Sequence, residues 1–262
     1  MGTNKPTFAV AGLGNIYPRH KKAIEDVGGE IIGTWDVDKS RGSTVKSFEE
    51  LVSLPADYVV ILTPNKLHLD QARYALNRGK KVIVEKPPVM SYLDLFEFDK
   101  DEPIYTVSQL RYLPDFETLE LKNVNDVRLN ICAHRDPLYL ANWRGKLDWS
   151  GGLLYIVGIH YFDILTWLFG SLLSIDHVRW IGDWRVQGII QLDKALVQFN
   201  IEISEEKPDF KELIINDKKI DLAKNFFSLH GEVYKDILAG KGIHPQDFNK
   251  TLLTLDKIYA KR

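Results

Sequence analysis

The sequence predicts an α/β protein of two domains: a parallel sheet with crossover helices over residues 1–120, and an α+β domain with a mostly antiparallel sheet over residues 121–262. Three observations predict it. Between Thr7 and Val84, short apolar runs rich in β-branched residues alternate with amphipathic stretches. Strand, helix, strand in succession is housed most economically by parallel strands joined through helices. From about Asn125 the pattern changes to strand-like runs on short connections: DVRLNICAH, SIDHVRWIGDW, VQGIIQLD, ALVQFNIEIS and FKELIIND. Such runs pair as antiparallel hairpins. One apolar stretch long enough for a helix, Gly152 to Phe169, interrupts them.

Taken in order, TFAVA (Thr7 to Ala11) reads as a buried strand and is followed at once by Gly12-Leu13-Gly14, then by a helical stretch through Arg19, Ala23, Ile24 and Val27. A glycine turn that opens a helix leaves backbone N–H groups facing outward, which is what a pyrophosphate needs, and makes this half a candidate Rossmann dinucleotide-binding domain. Tyr17 stands where the fingerprint has a third small residue, and Pro18 suits a first helical turn. Gly28-Gly29 ends the helix, and Ile31 to Trp35 is a second strand closing on Asp36. An acid at that spacing pairs with a ribose 2′-hydroxyl, although it also suits a turn cap through Asp38. Ser40 and Arg41 are near enough in sequence to take a 2′-phosphate, so NADP remains an alternative; Asp36 repels that phosphate and favours NAD.

Phe48 to Leu51 is a short helix. Asp57 to Leu62 is a third strand ending at Thr63-Pro64-Asn65, and the helix LHLDQARYALNRG ends at Gly79. Val82 to Val84 is a fourth strand, and Pro87-Pro88 stops it. Glu85 and Lys86 therefore sit at a strand's carboxyl end, where open α/β sheets bind ligands. A lysine partly withdrawn from water becomes usable for proton transfer near neutral pH; an exposed pair in a loop is the plainer alternative. Tyr92 to Phe98 reads as helix and Pro103 to Leu110 as a further strand leading into Arg111. In the long apolar helix, Ile156, His160, Asp163 and Trp167 fall on one face, either as a buried imidazole–carboxylate pair or as chemistry. Leu229 to Tyr259 holds two helical segments around Gly240-Lys241-Gly242.

Composition narrows the function. A chain of 262 residues, 45% hydrophobic and 27% charged with net charge -2, offers no basic footprint for nucleic acid or a membrane surface. The single Cys132 excludes an intrachain disulfide and a cysteine-built zinc site, and the seven histidines lack metal-ligand spacing, so no metal is expected. No secretory signal or myristoylation pattern follows Met1-Gly2, and Leu153 to Phe169 is broken by His160 and Asp163, so a cytoplasmic protein without membrane partners is expected.

The glycine turn, TPN followed by His68, EKP at Glu85 to Pro87, and SGG followed by GIHYFD resemble the Gfo/Idh/MocA oxidoreductases. Within that family, GLGNIYPRHKKAI, QLRYLP, WRGKLDWSGG, GIHYFDILTWLFG and HGEVYKDILAGKG are most similar to the UDP-N-acetyl-glucosaminuronate 3-dehydrogenases of surface-polysaccharide (lipopolysaccharide) synthesis. The resemblance implies bound NAD, a nucleotide-sugar substrate and a homo-oligomer, dimer or tetramer. It places Gly12 and Gly14 at the pyrophosphate, Asp36 at the adenosine ribose, and Asn65 and Glu85 on the nicotinamide side, with Asn15, Ile16, Thr63 and His68 as further cofactor-binding residues. Lys86 belongs to both cofactor and reacting sugar, and His160 faces the sugar. Arg111, Arg135 and Arg144 are candidate substrate contacts because a guanidinium forks onto carboxylate or diphosphate, with plain surface solvation as the alternative for each; Tyr155 and Asp163 are further candidate substrate contacts. A cis Lys86–Pro87 bond is also implied.

Two departures stand out. Ile156 occupies a position where relatives carry Asp or Asn, and the second domain is shorter than in most relatives. The expected reaction is oxidation of a secondary sugar alcohol, with Lys86 and His160 sharing the proton transfer. Oxidation of another sugar or an inositol is the alternative within the class, and a catalytically silent NAD-binding subunit the alternative outside it.

Overall fold

The computed structural model describes residues 5–122, 124, 126–224 and 228–262; Gly2 and Asn125, where the change of pattern is placed, lie outside them. In chain order the strands are β1 (Thr7–Ala11), β2 (Glu30–Trp35), β3 (Tyr58–Ile61), β4 (Lys81–Glu85), β5 (Ile104–Val107), β6 (Val127–His134), β7 (Leu172–Trp180), β8 (Arg185–Leu192), β9 (Ala195–Ser204), β10 (Phe210–Ile215) and β11 (Lys218–Asp221). The α-helices are α1 (Tyr17–Asp26), α2 (Phe48–Ser53), α3 (His68–Leu76), α4 (Leu147–Ser150), α5 (Ile159–Phe169), α6 (Leu229–Leu238) and α7 (Asn249–Tyr259).

The chain divides into two compact units. The first comprises Met1–Val89, Asp94–Gln109 and Phe227–Gln246; the second comprises Met90–Leu93, Leu110–Phe226 and Asp247–Arg262. The boundary expected at residue 120 therefore differs from this division in three respects: Met90–Leu93 and residues 110–120 belong with the second unit, and the segment around α6 belongs with the first. The physical reason for the last lies in α6 itself, whose buried face is Leu229, His230, Val233, Tyr234 and Ile237 at helical spacing. That face packs on α1, which buries His20, Ala23 and Ile24. Each large apolar side chain so buried contributes roughly 1.5–3 kcal/mol.

In the first unit, five strands form one sheet in the order β2-β1-β3-β4-β5, every pair parallel. Its central strands are buried on both faces, with Phe8 to Ala11, Val59 to Ile61 and Val82 to Val84 all at 0% exposure. That is why they read as continuous apolar runs rather than alternating ones. Strand order reverses at β1, which is flanked by β2 and β3, so the carboxyl ends of β1 and β3 open on the crevice of a doubly wound sheet.

The second unit holds a mixed sheet in the order β11-β10-β6-β9-β8-β7. Four of its pairings are antiparallel, but β6 and β9 run parallel. The sheet is thus mostly antiparallel, as expected, with one parallel pairing inside it. The chain leaves β6 through α4 and α5 before returning at β7, and such a crossover lets the later β9 lie parallel to β6. One face of the sheet is covered: β8 alternates half-buried and buried residues along its whole length.

Local readings change in three places. The helix expected at Tyr92 to Phe98 is a 3₁₀ turn over Leu93–Glu97, and the fifth strand stops at Val107, giving way to a 3₁₀ turn at Gln109–Tyr112. The long apolar helix runs over residues 152–169 as expected but is not uniformly α. Gly151, at positive φ, caps α4, and after a helical start at residues 152–153 the segment Leu154–Gly158 winds as a π turn before α5 begins. A π turn inserts extra rotation, so Ile156 no longer shares a phase with the α5 residues. By length and composition Leu147–Phe169 can cross a membrane, yet 89% of its most apolar window is buried inside the fold.

Candidate functional site

The glycine turn is built by close backbone approach. Gly12 lies at φ +97°, and a Cβ there would meet the carbonyl carbon and oxygen of Leu62 at 2.6 Å. Its N–H donates to the Trp35 carbonyl at 2.8 Å, which locks the turn against the end of β2. No side chain caps α1, and its first turn carries no acid. Among the described residues, the N–H groups of Gly14, Asn15 and Ile16 have no backbone partner, so the helix start offers donors and positive dipole to an anion. A Cβ on Gly14 would find only Arg41 Nη1, at 3.4 Å; the Tyr17 ring does not fill that place.

Asp36 is buried at the end of β2. Its Oδ2 accepts the Leu13 N–H at 2.7 Å and its Oδ1 accepts the Asp38 N–H at 2.8 Å, so it both braces the glycine turn and caps its own. Arg41 Nη1 stands 3.4 Å from Oδ2. A carboxylate has about four acceptor positions, which leaves capacity for a ribose hydroxyl beside these bonds. Uncapped donors, a glycine that admits no side chain and a buried acid at the second strand's end fit a dinucleotide.

Further along the sheet, Thr63, Asn65 and His68 lie on the loop after β3. His68 is buried and contacts two carbonyl oxygens, Pro87 through Nδ1 at 2.7 Å and Thr63 through Nε2 at 2.8 Å. Burial pulls its pKa down more than the two carbonyls raise it. In the neutral ring one nitrogen carries the proton, so one of the two contacts is a hydrogen bond, and the ring is wedged between the Thr63 and Pro87 loops. Thr63 Oγ1 donates to Gln71 Oε1 at 2.6 Å, and Asn65 is buried in the 3₁₀ turn that precedes α3.

At the end of β4, Glu85 is buried and Lys86 half-buried. The Lys86–Pro87 bond is cis, as the resemblance implies. Glu85 Oε1 accepts from His20 Nε2 at 2.8 Å, and Oε2 accepts the Lys86 N–H at 3.2 Å. Burial alone would raise the Glu85 pKa, but His20 and the Lys86 charge more than offset it and hold the carboxyl well below its ordinary range. His20 Nδ1 in turn lies 2.9 Å from Tyr234 Oη. His230 stands edge-on to His20, its Nε2 4.0 Å from Glu85, and neither ring nitrogen has a hydrogen-bond partner among the described residues. His20, His230 and Tyr234 escaped the sequence reading. His20 and Tyr234 are 214 residues apart, and the only local signal was their place on the apolar faces of α1 and α6. Ligand atoms of His20, Glu85 and His230 lie within 4.8 Å of one another, a grouping the absence of metal-ligand spacing did not reveal.

In the second unit, Arg111 and Asp163 are brought together. Nε and Nη2 of Arg111 donate to the two carboxylate oxygens at 2.8 and 2.5 Å, with Asp163 fully buried and Thr251 Oγ1 3.4 Å away. The guanidinium also lies over the rings of Phe248 and Trp167. The Asp163 carboxylate is therefore forked by Arg111. Tyr155 is buried and donates to Asp256, whose other oxygen accepts the Tyr92 N–H at 3.0 Å. His160 is half-buried in the first turn of α5, its ring 6.1 Å from that of Tyr161. Arg135 and Arg144 meet over Tyr139, their guanidinium carbons 5.0 and 4.9 Å from the ring centre. Arg144 also covers Trp143, and Arg135 lies 3.6 Å from Asp209.

Residues 7–101 match the family described as oxidoreductases with an NAD-binding Rossmann fold, and residues 117–178 match the C-terminal alpha/beta domain of the same family. The chain belongs to the Gfo/Idh/MocA oxidoreductase family. Its first unit is accordingly an NAD-binding Rossmann domain. Among solved structures, the WlbA (WbpB) dehydrogenase of Thermus thermophilus in complex with NAD and α-ketoglutarate is similar at a TM-score of 0.83 and 29% identity, over 94% of this chain and 92% of that one. The same enzyme in complex with NAD and UDP-GlcNAcA gives 28% identity with the same TM-score and coverage. Among curated relatives, the glucose-6-phosphate 3-dehydrogenase of Bacillus subtilis is 24% identical over 92% of this chain and 69% of its own length. An uncharacterised oxidoreductase of Synechocystis is 25% identical over 66% of this chain, and the match spans 54% of that relative's length.

Proposed function

We propose that the protein is an NAD-dependent dehydrogenase that oxidises a secondary alcohol of a nucleotide-linked sugar, the C3 hydroxyl of UDP-N-acetyl-glucosaminuronate, in cytoplasmic synthesis of a surface polysaccharide. One observation carries the reading: in a Rossmann domain of this family, a buried, ionised Glu85 and the half-buried Lys86 occupy the carboxyl end of β4. Similarity along nearly the whole chain to a dehydrogenase bound to NAD and UDP-GlcNAcA supports the substrate class.

In this reading the residues divide the work as follows. Gly12, Gly14, Asn15 and Ile16 receive the pyrophosphate, and Asp36 receives the adenosine ribose. Thr63, Asn65 and His68 shape the loop on the nicotinamide side. When bound, NAD supplies the hydride acceptor. Lys86 takes the hydroxyl proton and stabilises negative charge on the sugar oxygen, and His160 shares the proton transfer as a base suited to neutral pH. Arg135 and Arg144, gathered around Tyr139, bind the uronate or the diphosphate; Arg111, Asp163 and Tyr155 shape the pocket through their own pairings. The protein works as a homo-oligomer, which light scattering on the purified chain tests directly.

The deciding experiment mixes purified protein with NAD, α-ketoglutarate and a panel of UDP-GlcNAcA, other nucleotide sugars, glucose 6-phosphate and inositols, and follows the ketosugar. Product from UDP-GlcNAcA alone bears the reading out. Product from glucose 6-phosphate or an inositol moves the substrate to the chemistry named for the curated relatives. No product anywhere, with NAD still bound, leaves a silent cofactor-binding subunit. Lys86→Ala is expected to lower kcat at least ~10²-fold while leaving the Kd for NAD within about threefold.

A further inference from the structure

The contacts from Tyr234 through His20 to Glu85 join α6, α1 and β4 inside the first unit, and chemistry gives them a direction. An ionised carboxylate only accepts hydrogen bonds, so His20 Nε2 carries the proton it shares with Glu85 across 2.8 Å. In the neutral ring Nδ1 is then bare and accepts the Tyr234 hydroxyl across 2.9 Å. All three side chains are buried, His20 and Tyr234 at 0% exposure, so water does not compete for these bonds. The second carboxylate oxygen is held by the Lys86 N–H. Glu85 is thereby fixed in orientation at both oxygens.

Where that carboxylate sits matters. A dinucleotide whose adenosine lies at Asp36 on β2 crosses the switch point at β1 and β3, and its other half extends towards the end of β4. We infer that His20 is a positioning residue which holds the Glu85 carboxylate, as a fixed anion, beside the nicotinamide, so that the protein binds the oxidised cofactor in preference to the reduced one. The inference rests on the cofactor placement proposed above. The nicotinamide ring is cationic in NAD and uncharged in NADH, so a nearby fixed anion attracts only the former. A role confined to packing would weaken both forms alike.

The test measures dissociation constants for NAD and NADH by calorimetry on the full chain. The wild type is expected to bind NAD the more tightly, and Glu85→Gln and His20→Leu are each expected to shift the ratio ~tenfold towards NADH, a modest share of one charge–charge interaction. His20→Gln, whose amide N–H can donate to Glu85 while its carbonyl accepts from Tyr234, is expected to keep the wild-type ratio. If Glu85→Gln leaves the ratio unchanged, the nicotinamide does not lie at Glu85, and both the placement and the inference fail. If Glu85→Gln shifts it and His20→Leu does not, the placement stands and the inference is overturned. Loss of both affinities in equal measure in His20→Leu overturns it too. Should His20→Leu not fold, the nitrogen-15 shifts of His20 in the wild type decide: a ring protonated at Nε2 supports the inference, and one protonated only at Nδ1 overturns it. A stoichiometric divalent metal in the purified protein also overturns it, because the ion would replace the His20–Glu85 hydrogen bond.

Discussion

His230 is a buried imidazole with no hydrogen-bond partner among the described residues, and that makes it a source of pH sensitivity. Burial, with His20 and nearby cations adding to it, pulls its pKa from 6.5 down to about 3. Above pH 6.5 the ring is neutral in folded and unfolded chains alike, and no stability is lost. Below that, the unfolded chain binds a proton that the folded one refuses until about pH 3, so stability falls as pH falls through this window, by up to ~1.4 kcal/mol per unit. Glu85, whose carboxyl is held below its ordinary range, adds a loss of the same sign at lower pH. Urea titrations at pH 7.5 and 5.5 are expected to show a lower midpoint at 5.5, and a smaller difference in His230→Leu. The Arg111–Asp163 pair gives a second prediction at this scale. Asp163 is fully buried, so Arg111→Ala strands a charge and is expected to destabilise by roughly 3–5 kcal/mol, read as a fall in the urea midpoint.

Among the elements, those whose signal is local were legible. The strand–glycine–helix start, the acid closing β2 and the EKP end of β4 could be placed because each depends on neighbours within a few residues. The π turn at Leu154–Gly158 was not, because hydrophobic periodicity counts 3.6 residues per turn and cannot register an inserted one. Arg111 meeting Asp163, and α6 meeting α1, are contacts between distant segments; the sequence offers only apolar spacing on each, which says that a face is buried and not what covers it. The glycine turn supplies the prediction at this scale. Gly12→Ala combines a positive φ with a 2.6 Å approach to the Leu62 carbonyl, so strain of about 1–3 kcal/mol is expected. A weaker Kd for NAD and a lower Tm in the same variant would bear this out; near-native values of both would show that the turn can shift.

For the whole molecule, the division into units cuts across chain order. The Rossmann unit takes its last helix from residues beyond the second sheet, and Tyr234 of that helix lies against Phe8 of β1 with ring centres 6.0 Å apart. A fragment of residues 1–120 therefore lacks the cover for Phe8, Ala23 and Ile24. It is expected to keep far-ultraviolet helix signal, lose near-ultraviolet aromatic signal and bind hydrophobic dye. Adding residues 227–246 on a flexible linker is expected to restore the aromatic signal. A fragment of 1–120 that folds cooperatively alone would show α6 to be an accessory.

The late arrival of α6 has a consequence for biosynthesis. While a ribosome is still extending the chain, the first five strands are already outside it, yet the tyrosine that engages His20 is encoded after all eleven strands. Until then the imidazole and the carboxylate of Glu85 lack their cover, and the nascent amino-terminal sheet carries an unshielded apolar flank. Completion of the cofactor half is thus postponed until the segment that follows the second sheet has been translated, so termination at any codon between β11 and α6 would spoil the half that was made first.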